Sequence, residues 1–302
     1  MGAEVSVVVG NHQGESLLDD CLASISVQTV PVREVVVVDG ASTDGSRGVA
    51  ERHGARFLPA ANLGLGVLYN RGVEATVAEF VLLLNNDVAL ERRCVELLAA
   101  ELDMDATRFA ADPTQLDWTG ERVIHARTTL RRGRLLREFI PGLHLDSVVA
   151  AEGVVPTVSA HGAAMLVRRS MFLELGGFDE TFFMEWEDLD LCWRAWLRGW
   201  GSVYVPDASV RHRVGAVTTS AVAPRRSASS HHNMMRFALK CLPRATAARV
   251  FLGELLRLPA HPRAICAGGA RLVGELPEIA RLRRGQRRAG PLVENVIDTH
   301  RR

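Results

Sequence analysis

Val35-Val36-Val37-Val38-Asp39-Gly40 decides how this chain folds: four consecutive β-branched residues run without a polar break into an aspartate and a glycine. A run apolar on both sides suits a strand covered by helices on both faces of a parallel sheet. Two further stretches repeat the pattern. Val5-Ser6-Val7-Val8-Val9 stops at Gly10-Asn11, and Phe80-Val81-Leu82-Leu83-Leu84 stops at Asn85-Asn86-Asp87. Between them Leu17-Leu18…Cys21-Leu22…Ile25 has helical spacing, and Ser46 to His53 reads as a second short helix. The alternation predicts an α/β fold with a mostly parallel sheet. In open sheets of that kind ligands gather at the carboxyl ends of the strands.

Downstream, Ala163-Ala164-Met165-Leu166-Val167 reads as a strand, followed by a helix from Ser170 to Leu175 that Gly176-Gly177 stops. Asp188 to Arg198 is a helix with Leu189, Cys192, Trp193, Trp196 and Leu197 on one stripe. A last strand, Ser202 to Val205, leads through Pro206 to Arg211-His212-Arg213. Residues 103–160 carry no such pattern: Pro113, Trp118-Thr119-Gly120, the basic run Arg131-Arg132-Gly133-Arg134 and Pro141-Gly142 suggest a hairpin or long loop crossing the surface. Beyond Pro224 the spacing predicts helices over Asn233 to Cys241, Ala245 to Leu258 and Arg263 to Leu282. The organisation expected is a catalytic domain over residues 1–223 and a mainly helical extension over 224–302.

Composition narrows the class. With 302 residues, 47% hydrophobic and 24% charged, the chain is of folded globular type, which excludes wholesale disorder and collagen-like repeats. No window approaches about eighteen uninterrupted apolar residues, and Met1-Gly2-Ala3-Glu4 lacks a basic flank, so neither a membrane span nor a signal peptide is expected. The five cysteines (Cys21, Cys94, Cys192, Cys241, Cys266) are odd in number, far apart and without a CxxC pair. That argues against a disulfide framework or zinc ribbon and fits a reducing, cytoplasmic setting. The net charge of +1 conceals an asymmetry: Lys240, the only lysine, and fifteen arginines follow residue 223 against five acidic residues. An acidic body with a basic tail suggests contact with an anionic partner such as a membrane surface. Packing on the body or on a second subunit is the alternative.

Individually, the chemistry-bearing residues each admit two readings. Asp39 and Asp44 follow a strand and serve either as turn residues or as a carboxylate for a nucleobase or ribose. Asn62-Leu63-Gly64-Leu65-Gly66 could cradle a phosphate but lacks full dinucleotide spacing. Asp87, after Asn85-Asn86, is a turn aspartate or the hard oxygen ligand that Mg2+ or Mn2+ on a diphosphate requires. In Glu185-Trp186-Glu187-Asp188-Leu189-Asp190, one carboxylate is expected to be a structural helix-start residue, with Asp190 the candidate. Its neighbours raise each other's proton affinity, which suits a base. His212 is either a satisfied structural histidine or a ligand.

Taken together, the order and spacing of these pieces resemble family 2 glycosyltransferases of the GT-A fold, in particular a rhamnosyltransferase-like branch. The resemblance runs from Val5 to about Gly215. It rests on Asn11 and Gly14, Ser42-Thr43-Asp44-Gly45-Ser46, Asn62-Leu63-Gly64, Asn70-Arg71-Gly72, Asn85-Asn86-Asp87 and Gly162-Ala163-Ala164-Met165. It is strongest over Gly176-Gly177-Phe178-Asp179-Glu180…Glu185-Trp186-Glu187-Asp188. It implies a Rossmann-like α/β/α sandwich with a C-terminal helical extension. It also implies a donor site drawn from Val9, Asn11, Asp39, Ser42, Asn62, Gly64, Asn70, Asn86, Asp87 and Gly162. Asp39 would meet the nucleoside, Asp87 and His212 the divalent cation (Mg2+ or Mn2+), and Asp188 would be the base. Glu185, Trp186 and Glu187 would line the acceptor side, where an indole face suits sugar C–H groups.

The implied activity is inverting transfer of a sugar from a nucleoside diphosphate donor, with dTDP-rhamnose the first suggestion, to a hydroxyl acceptor. No nucleic-acid partner is expected. Peripheral contact with the inner face of the membrane and self-association through the C-terminal helices are both open. The sequence also departs from the family. The acidic motif keeps one acid, Gly40 replaces a frequent asparagine, and bulky Val67-Leu68-Tyr69 follow Gly66. A nucleotidyltransferase making sugar nucleotides is an alternative, but Gly10-Asn11-His12-Gln13-Gly14 lacks the basic residue its loop needs. A noncatalytic nucleotide-sugar-binding protein is the other.

Overall fold

A computed structural model describes residues 4–128, 153–214, 223–259 and 261–285. The basic run at 131–134, Pro141-Gly142, Gly215 and residues 286–302 lie outside the described residues. The amino-terminal half alternates as expected: β1 (Val5–Asn11), α1 (Glu15–Ser26), β2 (Glu34–Gly40), α2 (Ser46–Arg52), β3 (Arg56–Ala60), α3 (Leu65–Ala75) and β4 (Phe80–Asn85). Then follow β5 (Val88–Leu90), α4 (Cys94–Met104), β6 (Arg108–Leu116), β7 (Val123–His125), β8 (Val155–Thr157), β9 (Ala164–Arg168) and α5 (Arg169–Glu174). The remainder is α6 (Glu187–Leu197), β10 (Gly201–His212), α7 (Ala223–Cys241), α8 (Arg244–Arg257) and α9 (Pro262–Gly285).

One sheet carries all ten strands in the main order β3-β2-β1-β4-β9-β6-β10-β5, with β7 on β6 and β8 on β10. β3, β2, β1 and β4 are mutually parallel, as are β6 and β10, while β9 enters antiparallel between the two groups. The valine runs are buried on both faces, as their lack of polar alternation requires. Val7, Val9, Val37, Leu82 and Leu84 join α1, α2 and α4 in one core. Val8, Val36, Val38, Val81 and Leu83 join α3, α5 and α6 in the other. A third cluster places Trp193 and Trp196 of α6 against Met234, Phe237 and Ala238 of α7 and Val250 of α8. The five cysteines form no disulfide, and four of them are buried.

Two expectations need correction. Of the hairpin or surface loop expected over this segment, the hairpin is present, β6 pairing antiparallel with β7, but residues 108–116 do not cross the surface: β6 is an interior strand buried from Phe109 to Gln115. Pro113 hid it, and the proline is tolerated because β9 pairs only at Ala110 and Ala111 while β7 begins at Gln115. β10 likewise continues past Pro206 to His212, absorbing the extra residues in a register shift between Val205 and Ser209. Both corrections bear on the site, because they bring Gln115 and His212 to the same edge as Asn11, Asp39 and Asn85.

Candidate active site

The carboxyl ends of β1, β2 and β4 form one ledge, with Asn11 in register with Asp39 and Gly10 with Asn85. The Asn11 amide donates to Asp39 Oδ2 at 2.7 Å, and its own Oδ1 accepts from Asn86 Nδ2 at 2.7 Å. Ser42 donates twice to Asp39, from its backbone N at 2.8 Å and its hydroxyl at 2.6 Å. Asn11, Asp39 and Asn86, all buried, and the half-buried Ser42 thus form one network in which Asp39 closes its own turn. A Cβ at Gly14 would lie 2.1 Å from Asn11 Oδ1 and 2.2 Å from Asn86 Nδ2, so a larger residue would displace this amide pair.

Beside this ledge β4 turns through Asn86 and Asp87 into β5, which pairs antiparallel with β10 and sets Val88 opposite His212. His212 Nε2 lies 3.4 Å from Asp87 Oδ1. That carboxylate oxygen is buried and makes no hydrogen bond. Gln115 Oε1 sits 2.9 Å from His212 Nδ1; in the tautomer that donates Nδ1–H to Gln115, the Nε2 lone pair faces Asp87. In that tautomer two electron-pair donors face each other, an arrangement that a cation between them would satisfy. The set fits a hard divalent ion that takes one carboxylate and one imidazole from protein and the rest from phosphate and water. Among the described residues no cluster of three or more His, Cys, Asp or Glu could hold a metal alone.

The third part is the start of α6. Glu185 (φ 66°) and Trp186 (φ 75°) both have left-handed backbones, a conformation costing about 1–3 kcal/mol per non-glycine residue and concentrated at functional sites. Asp188, in the first turn, accepts from Gly162 N at 3.1 Å through Oδ2 and from Leu189 N at 2.7 Å through Oδ1. It is half-buried and keeps lone pairs free on both oxygens. Glu187 is buried with Oε2 unpartnered. Burial, then the neighbouring Asp188 and Glu185, push its carboxyl up to about 8, so it is protonated at neutral pH and does not add charge beside Asp188. Asp190 is structural, as expected: fully buried, it accepts from Arg194 at 2.8 Å and pairs with Lys240 at 2.6 Å.

Tyr69 ties the parts together. Its hydroxyl lies 2.8 Å from Asn85 Oδ1 and 3.1 Å from the Gly162 carbonyl. The bulky residue after Gly66 therefore links the acidic turn to the loop that holds Asp188.

The other expected donor residues differ in their surroundings. The Val9 side chain is wholly buried in the core, leaving only its backbone near the ledge. Asn70 is spent as a clamp: its amide bonds Phe178 O at 3.0 Å, Phe178 N at 2.8 Å and Glu180 at 3.1 Å. Gly64 (φ 116°) caps α3 and lets the chain pass Phe183, whose carbonyl a Cβ would meet at 2.7 Å. Asn62 is exposed beside Gly40. The Trp186 indole packs on Phe237 of α7, ring centroids 5.9 Å apart, and points Nε1 at Ser230, so that its apolar face joins the α6–α7 core.

Sequence reasoning missed a buried group beside Asp188. Asp112 accepts from His161 N at 3.1 Å and lies 3.2 Å from His125 Nε2; the two imidazole rings are 4.5 Å apart. Burial lowers both histidines to about 4 and raises Asp112 well above the carboxylate range. Asp112 and His125 lie in the segment without periodicity, and nothing in their spacing marks them.

An α/β sheet with its acidic residues at one carboxyl edge is the arrangement of GT-A glycosyltransferases. Staphylococcus aureus TarS superposes with a TM-score of 0.58 at 18% identity, covering 84% of this chain, which spans 43% of that longer one. A mannosyltransferase from Pyrobaculum calidifontis, solved with GDP-Man and Mn2+, superposes with a TM-score of 0.57 at 19% identity over 93% of this chain and 79% of that one. The sequence profile of glycosyl transferase family 2 matches residues 6–172, and the chain belongs to that family. Within it, the chain is similar to the N-acetylglucosaminyl-diphospho-decaprenol L-rhamnosyltransferase of Mycobacterium tuberculosis: 34% identical over 218 residues, 65% of this chain and 71% of that one.

Proposed function

We propose that the protein transfers a sugar, with inversion, from a nucleoside diphosphate donor to an acceptor hydroxyl, and that Asp188 is the base. The observation that carries this is the meeting, at one sheet edge, of the unpartnered Asp87 Oδ1 with His212, and of both with the ledge of Asn11, Asp39 and Ser42. The ledge suits a nucleoside, since Asp39 Oδ1 keeps one lone pair for a donor N–H or O–H. Asp87 and His212 would hold a Mg2+ or Mn2+ ion, which when bound supplies counter-charge to the diphosphate. Asp188 takes the proton of the attacking hydroxyl as that oxygen approaches the anomeric carbon from the face opposite the diphosphate. The Gly162 and Leu189 N–H groups orient its carboxylate. A rhamnosyltransferase among the relatives makes dTDP-rhamnose the first donor to try. Hydrolysis of a panel of nucleoside diphosphate sugars, with and without Mn2+, tests the reading: cation-dependent release of the diphosphate from one of them supports it, and no release from any opposes it.

The helical extension bears on where the reaction takes place. No helix of the described residues is long and apolar enough to cross a membrane. Leu252, Leu255 and Leu256 of α8 are nevertheless 50%, 63% and 69% exposed. On a helix of 3.6 residues per turn these leucines fall between exposed Arg244 and Arg249 on one face. Among the described residues, Glu254 is buried against His231, Glu275 bonds His232 and Arg236, and the exposed Glu278 lies on α9 and pairs with Arg236. An apolar strip flanked by arginines, with no acid on the same face of α8, fits an anionic membrane surface better than a second copy of this cationic helix.

A further inference from the structure

We propose that Asn233 of α7 is a positioning residue for transfer: it holds the left-handed Glu185-Trp186 turn and thereby fixes the direction of the carboxylates at the start of α6. Its side chain is fully buried. Both amide protons are used on the chain immediately ahead of α6, donated to Met184 O at 2.8 Å and Glu185 O at 2.8 Å. The next residue, Trp186, supplies the carbonyl that accepts the first helical bond of α6, from Asp190 N at 2.9 Å. Two consecutive non-glycine residues with positive φ do not persist unless their surroundings over-determine them. Here a single buried amide grips the carbonyl before the turn and the first one within it.

The amide is itself oriented. Its Oδ1 faces His232 Nδ1 at 2.9 Å, and His232 Nε2 faces Glu275 Oε2 of α9 at 2.9 Å. Turning the amide over would set its oxygen against two carbonyl oxygens, so only one orientation is consistent. A chain of polar contacts therefore runs from α9 through α7 to the loop that presents Glu187 and Asp188. Arg236 and Lys240, one and two turns further along α7, grip Asp179 ahead of the same loop. The helical extension is by this account part of the catalytic apparatus and not only a cover for it.

The inference rests on the proposed role of Asp188, and the test separates the two. Asn233→Asp keeps the shape and replaces both donors by an acceptor. His231→Gln, which breaks the contact of α7 with Glu254 of α8, controls for general loosening of the helices. Amide hydrogen exchange on the full-length protein reads the turn directly, without activity. In Asn233→Asp the peptide spanning 183–190 is expected to exchange at least tenfold faster, with the strands unchanged; in His231→Gln it is not. Turnover is expected to fall more than tenfold while the donor KM stays within about twofold, and His232→Ala should show a smaller fall of the same kind. Unchanged exchange over 183–190, or a rise matched in the control, overturns the proposal. If Asp188→Asn retains full turnover, the assigned base is wrong, and the exchange result still decides whether Asn233 holds the turn.

Discussion

His212 Nε2 and Asp87 Oδ1 stand 3.4 Å apart because β5 runs antiparallel to the last residues of β10, not because anything in the sequence links them. On the proposed reading this pair would share one cation, with Gln115 behind the histidine. Asp87→Asn and His212→Ala should each weaken Mn2+ binding in the presence of a nucleoside diphosphate by at least about tenfold, and Gln115→Ala by about tenfold through loss of ring orientation. Calorimetric titration checks this. Equal Mn2+ affinity in all four proteins would remove the pair from the cation site.

The raised Glu187 carboxyl has a signed effect on stability. Its folded value of about 8 lies above the unfolded value near 4.5, so the native state binds the extra proton between those values and loses stability as pH rises through them. His125 and His161, lowered to about 4, act oppositely but only below about 6.5. Between pH 6.5 and 8 the melting temperature of the wild type should therefore fall, and Glu187→Gln should flatten that fall. Asp112, raised for the same reason, leaves a residual slope. Melting curves across this window that are parallel for the two proteins would contradict the assignment.

Asp179 carries two buried cations. Burial alone would raise its carboxyl, but the charge of Lys240, the hydrogen bonds from Lys240 and Thr181, and Arg236 hold it well below the usual range. Arg236 is fully buried and Lys240 only 2% exposed. Asp179→Ala leaves both short of a counter-charge and should cost about 3–5 kcal/mol in urea unfolding, the scale for breaking a buried pair. A loss below about 1 kcal/mol would show that Asp190, Glu275 and Glu278 suffice.

For the arginine-flanked face of α8, flotation with vesicles decides the partner. Binding to anionic and not neutral vesicles, weakened by salt and by Leu255→Glu, is expected, since each basic residue near such a surface adds about 1 kcal/mol. Equal partitioning to both, or none, would leave the face to packing or self-association.

The first half of the molecule was legible because its strands are buried on both faces and so contain unbroken valine and leucine runs ending in polar residues. The positions of Asp87 and Asp188 at strand and helix ends followed from the same pattern. β6 was not legible, since Pro113 and two alanines disguise an interior strand, and with it Gln115, Asp112 and His125 went unseen. Asn70 and Asn233 are the same residue type in the same kind of buried clamp, one in a recognised motif and one outside it. Spacing cannot tell such an amide from a ligand-binding one, because what it grips is backbone brought in from a distant segment.

The role of Asp188 is tested most directly by comparing Asp188→Asn with the wild type in two measurements on one preparation: donor binding by calorimetry and the rate of sugar transfer. Unchanged donor affinity with turnover lowered by about two to four orders of magnitude is the expected result, the scale of a general base. Turnover within a few-fold of the wild type would contradict it.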